Sequence, residues 1–519
     1  MRASPRARRR LMESGDDPLA AAAKERFGLD YLYPYQRLVA ANILDSAAVG
    51  AEPLRQVVLL PTGFGKSLCF QLPAFFLPRP TIVVYPLLAL MEDQRRRLES
   101  LGLGCVLFRG GQSPEERTEA ESSLKRGVAR IVITNPESLC QPRTLALLKE
   151  TRPSHIAVDE AHCVSEWGES FRPSYLELGR IVDALAPPAL SAFTATASPG
   201  VFEGVARILF GGSAYRVVAG DPDRPNISYG VVRTLSRQHS LVRLVGEMQR
   251  PVIVFCSSRH GAQLLARMLS ERLRETEVRF YHAGLAKYER MAIEDWFFSS
   301  DRGILCSTCA YGMGVDKKNI RSVIHYEAPA SVEAYLQEAG RAGRDGLPSR
   351  AILLSGCADG DRLALEKDEL RRARFRALLS YAASEDGCRR DGLLDLLGAA
   401  REGRGPCSGC DRCEGGGRGP REGEAEIRDF SAANAFRFTS EEALALLRGE
   451  ESGRSEPPRC ALWGAMADWD EKDAAGAMEQ AIDMGIVRRY AAWPWRGRIA
   501  PARRHAHGRA PSILEARGR

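Results

Sequence analysis

The chain has 519 residues, 44% hydrophobic and 27% charged, an ordinary soluble composition that at roughly 150 residues per domain suggests three or four domains. The longest charge-free run, 184–202, contains Pro187, Pro188 and Pro199, and no long apolar core follows the arginines of residues 2–10, so neither a membrane span nor a secretory leader is expected. The formal charge of +7 is concentrated at the ends: residues 1–10 carry five Arg and no acid and residues 488–519 carry nine Arg against Glu515, so the 477 residues between sum to −6 and any basic groove there must be local.

A basic, unstructured N-terminus is expected over 1–18. Residues 19–214 alternate short apolar runs (Gln56–Leu60, Thr81–Tyr85, Arg130–Thr134, His155–Val158, Leu190–Thr194) with helical periodicity, which predicts buried parallel strands with helices on both faces. A second such series is expected over 215–356, with strands at Pro251–Cys256, Val278–Tyr281, Gly303–Ser307, Ser322–His325 and Ala351–Leu354. The Pro- and Gly-containing stretch Gly220–Gly230 between the two series reads as a linker. Residues 357–420 open with a charged helical pattern and then become Gly-rich around several cysteines. Over 425–500, helices are expected at Phe438–Leu447, Ala461–Asp468 and Asp470–Met484, then two short strands in Val487–Ile499 around a Pro turn, and a basic tail over 501–519.

LLPTGFGKSL (Leu59–Leu68) takes an apolar strand into a Gly-containing loop and then a helix. Such a loop turns backbone N–H groups of Thr62, Gly63 and Gly65 toward phosphate oxygens, with Lys66 reaching the terminal phosphates and the Ser67 hydroxyl a Mg²⁺ ion. Some ninety residues on, HIAVDEAH (His155–His162) ends a second apolar strand in acids. Asp159 stands where a carboxylate holds Mg²⁺, and Glu160 where one orients or deprotonates the attacking water. Together the two segments predict ATP hydrolysis.

DEAH after a strand, with FTATA (Phe193–Ala197) about thirty residues later, resembles a superfamily 2 helicase. DEAHCVSEWGESFRPSY (Asp159–Tyr175) resembles the RecQ family more closely, as do PLLALMEDQ (Pro86–Gln94), DRPNI (Asp223–Ile227), YHAGL (Tyr281–Leu285), YGMGVDK (Tyr311–Lys317) and QEAGRAGRDG (Gln337–Gly346). The likeness covers roughly residues 25 to 415, in the family's order. It implies an α/β fold with two RecA-like parallel-sheet lobes in tandem, ATP held in the cleft between them, and 3′-to-5′ travel along single-stranded DNA. It places Gly314, Asp316 and Gln337 at the nucleotide. Arg341 and Arg344, three apart on an expected helix start, are assigned to the arginine motif, Arg344 as the finger that stabilises charge on the transferring phosphate.

The sequence also departs from the family. Gln36 keeps the residue that reads the base edge, but Tyr33 stands where an Arg is usual, suited equally to stacking on an adenine face or to a place in the core. Phe64 replaces a third loop Gly. In the aromatic-rich loop Trp167, Phe171 and Arg172 are kept as DNA contacts, while Glu166, Glu169 and Ser170 replace Gln, His and Asp, adding two carboxylates beside a phosphodiester path. Further DNA contacts are expected from Asn135–Glu137 and from Ser257–Arg259.

Cys388, Cys407, Cys410 and Cys413 lie in a stretch with few apolar side chains, at a spacing suited to tetrahedral Zn²⁺, with an iron–sulfur cluster as the competitor. The other nine cysteines read as reduced core residues, and both groups fit a reducing, cytoplasmic and, from the Ala, Arg and Gly content, bacterial setting. Three helices and a two-stranded wing predict a winged helix. Trp493 and Trp495, between Arg488, Arg489, Arg496 and Arg498, suit a wedge or a stacking platform for DNA, or the closing of a small core. The expected partners are therefore single-stranded DNA and single/double-strand junctions, and ATP, bound by a monomer. An RNA-dependent DEAH-box ATPase and a zinc-containing DNA-binding protein with a weakened motor are the alternatives.

Overall fold

The computed structural model describes residues 17–48, 50–60, 65–167, 173–195, 199–220, 223–309, 311, 317–397, 405–416, 419–450 and 460–502. The chain divides into two compact units, one running to Asp223 and one beginning at Arg224, with only residues 397–400 grouped with the first.

The first unit is built on seven strands: β1 (Leu54–Leu59), β2 (Thr81–Val84), β3 (Cys105–Phe108), β4 (Ile131–Thr134), β5 (His155–Val158), β6 (Ala189–Thr194) and β7 (Arg216–Ala219). Their order is β3-β4-β2-β5-β6-β1-β7, and every pairing is parallel. Side chains alternate along each strand, so Val57, Ile82, Val132, Ile156 and Leu190 enter one core while Val58, Val83, Ile133, Ala157 and Phe193 enter the other. A sheet buried on both faces explains why its strands read as unbroken apolar runs. β3 and β7 are strands that the periodicity does not single out. β7 pairs with β1 in register Gln56↔Arg216 to Leu59↔Ala219, which carries the first sheet past residue 214.

The second unit contains β8 (Ile227–Arg233), β9 (Val252–Phe255), β10 (Val278–Tyr281), β11 (Ile304–Ser307), β12 (Ser322–His325) and β13 (Ser349–Ser355). They form a second all-parallel sheet in the order β10-β11-β9-β12-β13-β8. The expected linker is a working part of this sheet. β8 pairs with β13 over seven residues, Ile227↔Ser349 to Arg233↔Ser355, because the prolines precede the largely apolar segment ISYGVVR and Gly230 lies inside the strand itself.

After β13 come helices Ala358–Leu365, Glu369–Ala383 and Arg389–Leu396, then the cysteine-bearing turns, then helices Glu424–Ala433, Ser440–Leu447 and Glu471–Asp483. The antiparallel pair β14 (Val487–Arg489) and β15 (Ile499–Pro501) completes the three-helix and wing arrangement. Two helix expectations are corrected. Residues 461–468 form turns, since Leu462 (φ +66°) and Gly464 (φ +73°) adopt the left-handed conformation and break the periodic pattern. The helix at Glu424–Ala433 was not expected; it starts from Gly423 at φ +87° with no side-chain cap, so the usual start signal is missing. Ile427, Phe430, Phe438, Leu446, Met478, Val487 and Ile499 pack into one core that also takes in Leu235, from the turn after β8. Arg272 pairs with Asp470 at 3.2 Å and with Asp473, joining the helix Arg259–Leu273 to Glu471–Asp483.

Candidate nucleotide site and metal centre

In the first unit β1, β5 and β6 run the same way, so the segments that follow them emerge at one rim of the sheet, where open α/β sheets hold ligands. After β1, Gly65 takes φ +74° as the cap of the helix Lys66–Ala74, which begins with Lys66 and Ser67. A Cβ on Gly65 would lie 2.5 Å from Gln36 Nε2, so the glutamine amide sits directly against the phosphate loop. Gln36 Oε1 also accepts from the Tyr33 backbone N–H at 3.0 Å, fixing the start of the helix Pro34–Ser46. The Tyr33 ring stacks on Tyr35 at 5.4 Å and meets Tyr31 edge-on at 5.5 Å, and it stays half exposed. Thr62 and Gly63 lie outside the described residues.

Lys66 Nζ is 3.5 Å from Glu160 Oε1, and among the described residues this buried ammonium makes an ion pair without a hydrogen bond. Its donors therefore suit phosphate oxygens, which fits a nucleoside triphosphate at this loop. After β5, Asp159 is buried and its carboxyl is pushed up to about 6, first by burial and then by the charge of Glu160, against the opposing pull of Lys66. A carboxylate costly to ionise in isolation is one that a bound cation stabilises. Glu160 adopts φ +48°, rare for a residue with a side chain, and its N–H donates to Asp159 Oδ1 at 3.0 Å. Sequence reasoning gave no role to His162 or Thr194. His162 Nδ1 lies 3.0 Å from Thr194 Oγ1 and 3.4 Å from Glu160 Oε2, linking the acid to the end of β6. DEAH and TAT were both legible as segments, but only the parallel register of β5 and β6 brings them together.

In the second unit Gln337 lies in the helix Val332–Ala339, and Arg341 and Arg344 follow it. They occupy turns at the end of that helix rather than the expected helix start, because Gly343 at φ +53° turns the backbone away. Arg341 is buried. Gly314 and Asp316 lie outside the described residues.

Among the expected DNA contacts, Asn135 is buried and caps the short helix Pro136–Leu139, accepting from Ser138 N–H at 3.1 Å. Glu137 accepts from Ser174 Oγ at 3.1 Å. Ser257 and Arg259 are exposed, and the Ser257 backbone N–H donates to Glu327 at 2.8 Å. Phe171, Arg172 and the side chain of Trp167 lie outside the described residues, as do the side chains of Glu166, Glu169 and Ser170. The two wing tryptophans differ. Trp493 is 90% exposed, whereas Trp495 is 43% exposed and packs on Phe436 at 5.1 Å.

The Sγ atoms of Cys388, Cys407, Cys410 and Cys413 all lie within 4.8 Å of one another, with Cys388 and Cys410 at 3.9 Å. Zn–S bonds of about 2.3 Å in a tetrahedron require S···S edges of about 3.8 Å, so the four thiols fit such an ion. The group is fastened to β8, where Val231 N–H donates to Asp411 Oδ2 at 2.9 Å and Tyr229 bridges to Cys410.

Residues 33–203 match the family model of the DEAD/DEAH box helicases, and residues 236–346 that of the helicase conserved C-terminal domain. With two parallel sheets and Lys66 beside the DEAH acid Glu160, these define a two-lobed DEAD/DEAH-box helicase. The chain is 30% identical over 487 residues to the ATP-dependent DNA helicase RecQ of Pasteurella multocida, across 91% of this chain and 75% of that one. It is 38% identical over 327 residues to the probable ATP-dependent DNA helicase RecS of Bacillus subtilis, across 61% of this chain and 64% of that one. The chain belongs to the RecQ family. Among solved structures, the DUF1998 helicase MrfA bound to DNA shares its fold, with a TM-score of 0.54 at 18% identity over 95% of this chain and 60% of that one. Among the described residues no helix is long and apolar enough to cross a membrane.

Proposed function

We propose that this protein is an ATP-dependent 3′-to-5′ DNA helicase that opens duplex DNA from a single-stranded tail, in DNA repair and recombination. The observation that carries the reading is the gathering of Lys66, Asp159, Glu160, His162 and Thr194 at the rim where β1, β5 and β6 end. Lys66 and the backbone around Gly65 bind the β- and γ-phosphates, Ser67 and Asp159 hold Mg²⁺, and Glu160 orients the water that attacks the γ-phosphate. Mg²⁺ supplies charge neutralisation on the phosphates when bound. Arg344 stabilises charge on the transferring group, with Arg341 beside it, and Gln36 and Tyr33 hold the base. Gly314, Asp316 and Gln337 complete the nucleotide contacts on the strength of the family motifs.

The four cysteines hold one structural Zn²⁺, since all four positions are filled by protein. The working division places the nucleotide lobe up to Asp223, the second lobe to residue 356, the cysteine module over 357–420 and the winged helix over 425–500. DNA contacts fall on Trp167, Phe171 and Arg172, on Ser257 and Arg259, and on the wing. The protein works as a monomer in a bacterial cytoplasm. RNA-dependent hydrolysis is the less favoured reading, because the relatives named above are DNA helicases.

The test is ATP-driven strand displacement on duplexes carrying a 3′ or a 5′ single-stranded tail, with Lys66→Ala as control. Displacement of the 3′-tailed duplex alone, lost in the control, is expected. Displacement of neither duplex by protein that binds both would reduce the reading to a translocase or a passive binder.

A further inference from the structure

The arginine turn that follows the helix Val332–Ala339 is held by two side chains of the segment that opens the second unit, Arg224 and Asn226. Arg224, buried at the start of the second unit, donates from Nη1 to the Gly340 carbonyl at 3.1 Å. From Nη2 it donates to the carbonyls of Ala342 at 3.2 Å and Gly343 at 2.9 Å. Those three carbonyls bracket Arg341 and immediately precede Arg344. Asn226 Nδ2 adds bonds to the carbonyls of Gly343 at 2.8 Å and Leu347 at 3.0 Å. The fit is close: a Cβ on Gly343 would stand 2.5 Å from Asn226 Nδ2 and 2.7 Å from the Leu347 carbonyl.

Arg224 is in turn held by the cysteine module. Arg390, two residues after Cys388, is buried and donates from Nη1 to the Arg224 carbonyl at 3.0 Å. Its Nη2 donates to the carbonyl of Ile227 at 2.5 Å and to that of Gly409, between Cys407 and Cys410, at 3.3 Å. The same guanidinium lies 5.3 Å from the centre of the Tyr229 ring. One arginine thus ties both cysteine-bearing segments to the backbone of the 224–227 segment, and the other ties that segment to the arginine turn. A planar fork binding several carbonyls at once fixes orientation in a way that a flexible ammonium cannot.

We propose that Arg224 and Arg390 are positioning residues for ATP hydrolysis, through which the cysteine module sets the conformation of the turn that presents Arg341 and Arg344. The inference rests on the reading of Arg344 as the arginine that meets the transferring phosphate. Arg224 touches no substrate in this scheme and acts through the turn alone. Its loss therefore lowers the rate of the chemical step and leaves the binding of ATP and of DNA in place.

The test uses the full chain, with Arg224→Lys, Arg390→Lys and Asn226→Ala beside Arg344→Ala. Single-stranded-DNA-stimulated hydrolysis gives kcat and KM, a fluorescent ATP analogue gives nucleotide affinity, and melting temperature and zinc content report folding. The two Arg→Lys variants are expected to lose tenfold or more in kcat, with KM, nucleotide and DNA affinity and zinc content within about twofold of wild type. Asn226→Ala, at a less buried position, is expected to shift kcat the same way by a smaller factor. Wild-type kcat in folded Arg224→Lys, beside an inactive Arg344→Ala, overturns the positioning role and leaves the helicase reading standing. If the lysine variants do not fold, an unchanged kcat in Asn226→Ala overturns it equally. Wild-type turnover in Arg344→Ala instead overturns the finger assignment on which the inference stands.

Discussion

Lys66 Nζ stands 3.5 Å from Glu160 Oε1, so the lysine proposed to bind phosphate and the acid proposed to orient water form an ion pair with each other. Both side chains are largely buried, and neither charge is well solvated without the other. A nucleotide that draws Lys66 onto its phosphates leaves Glu160 to the water. The two residues should therefore fail differently. Lys66→Ala is expected to weaken binding of a fluorescent ATP analogue and abolish turnover. Glu160→Gln is expected to keep binding within a fewfold while hydrolysis falls by about 10²–10⁴. Equal loss of binding in both variants would contradict the division of roles.

Asp159 carries a stability cost that depends on pH. Its folded value, raised from 3.8 to about 6 chiefly by burial, means that folding disfavours the charged form. The cost is full above pH 6, fades as pH falls from 6 toward 3.8, and is gone only below 3.8, where the carboxyl is protonated in both states. Asp159→Asn in metal-free, nucleotide-free protein is accordingly expected to stabilise by about 1–3 kcal/mol at pH 8 and by roughly a third of that at pH 4.5. Melting curves at the two pH values check this, and an equal shift at both would remove burial of the charge as its cause. Activity should be lost in the same variant.

The thiol cluster predicts one zinc ion per chain by elemental analysis. Cys410→Ser removes a fully buried ligand and should leave less than one equivalent bound while lowering the melting temperature of the second unit. The first unit, which contributes none of the four thiols, should retain its nucleotide affinity in that variant. Iron in place of zinc, with visible absorbance, would decide for the cluster chemistry instead.

The two wing tryptophans are expected to separate. Trp493→Ala, on a side chain 90% exposed, should change stability by less than about 0.5 kcal/mol and reduce strand displacement. Trp495→Ala removes a ring packed on Phe436 and should cost about 1–2 kcal/mol. Displacement unchanged in Trp493→Ala, with the fold intact, would take the exposed ring out of strand separation.

The parts of the fold most legible in the sequence were those carried by periodicity. The central strands β1, β2, β4, β5 and β6 each form an apolar run ending in a turn, and all five were anticipated within a residue or two. The edge strands β3, β7 and β8 are less distinct, β7 having exposed residues at three of its four positions. Of the site, Lys66 and the acids could be read from spacing alone, because their chemistry fixes the residue types. His162–Thr194 and Arg224–Gly343 could not, since each pair is joined by sheet topology over long stretches of chain. The DRPNI segment is visible as a resemblance, but the Pro and Gly residues of the stretch around it suggest a linker and hide the arginine's structural task.

Leu235 follows β8 by two residues, yet its side chain is buried among those of the three helices and wing that begin nearly two hundred residues later. The terminal module is thus not a portable cassette hung on a motor. A chain shortened to end before Glu424 would expose that leucine to water and strip Arg272 of both its carboxylates. Grafting the module onto another motor would require the leucine and the arginine to travel with it.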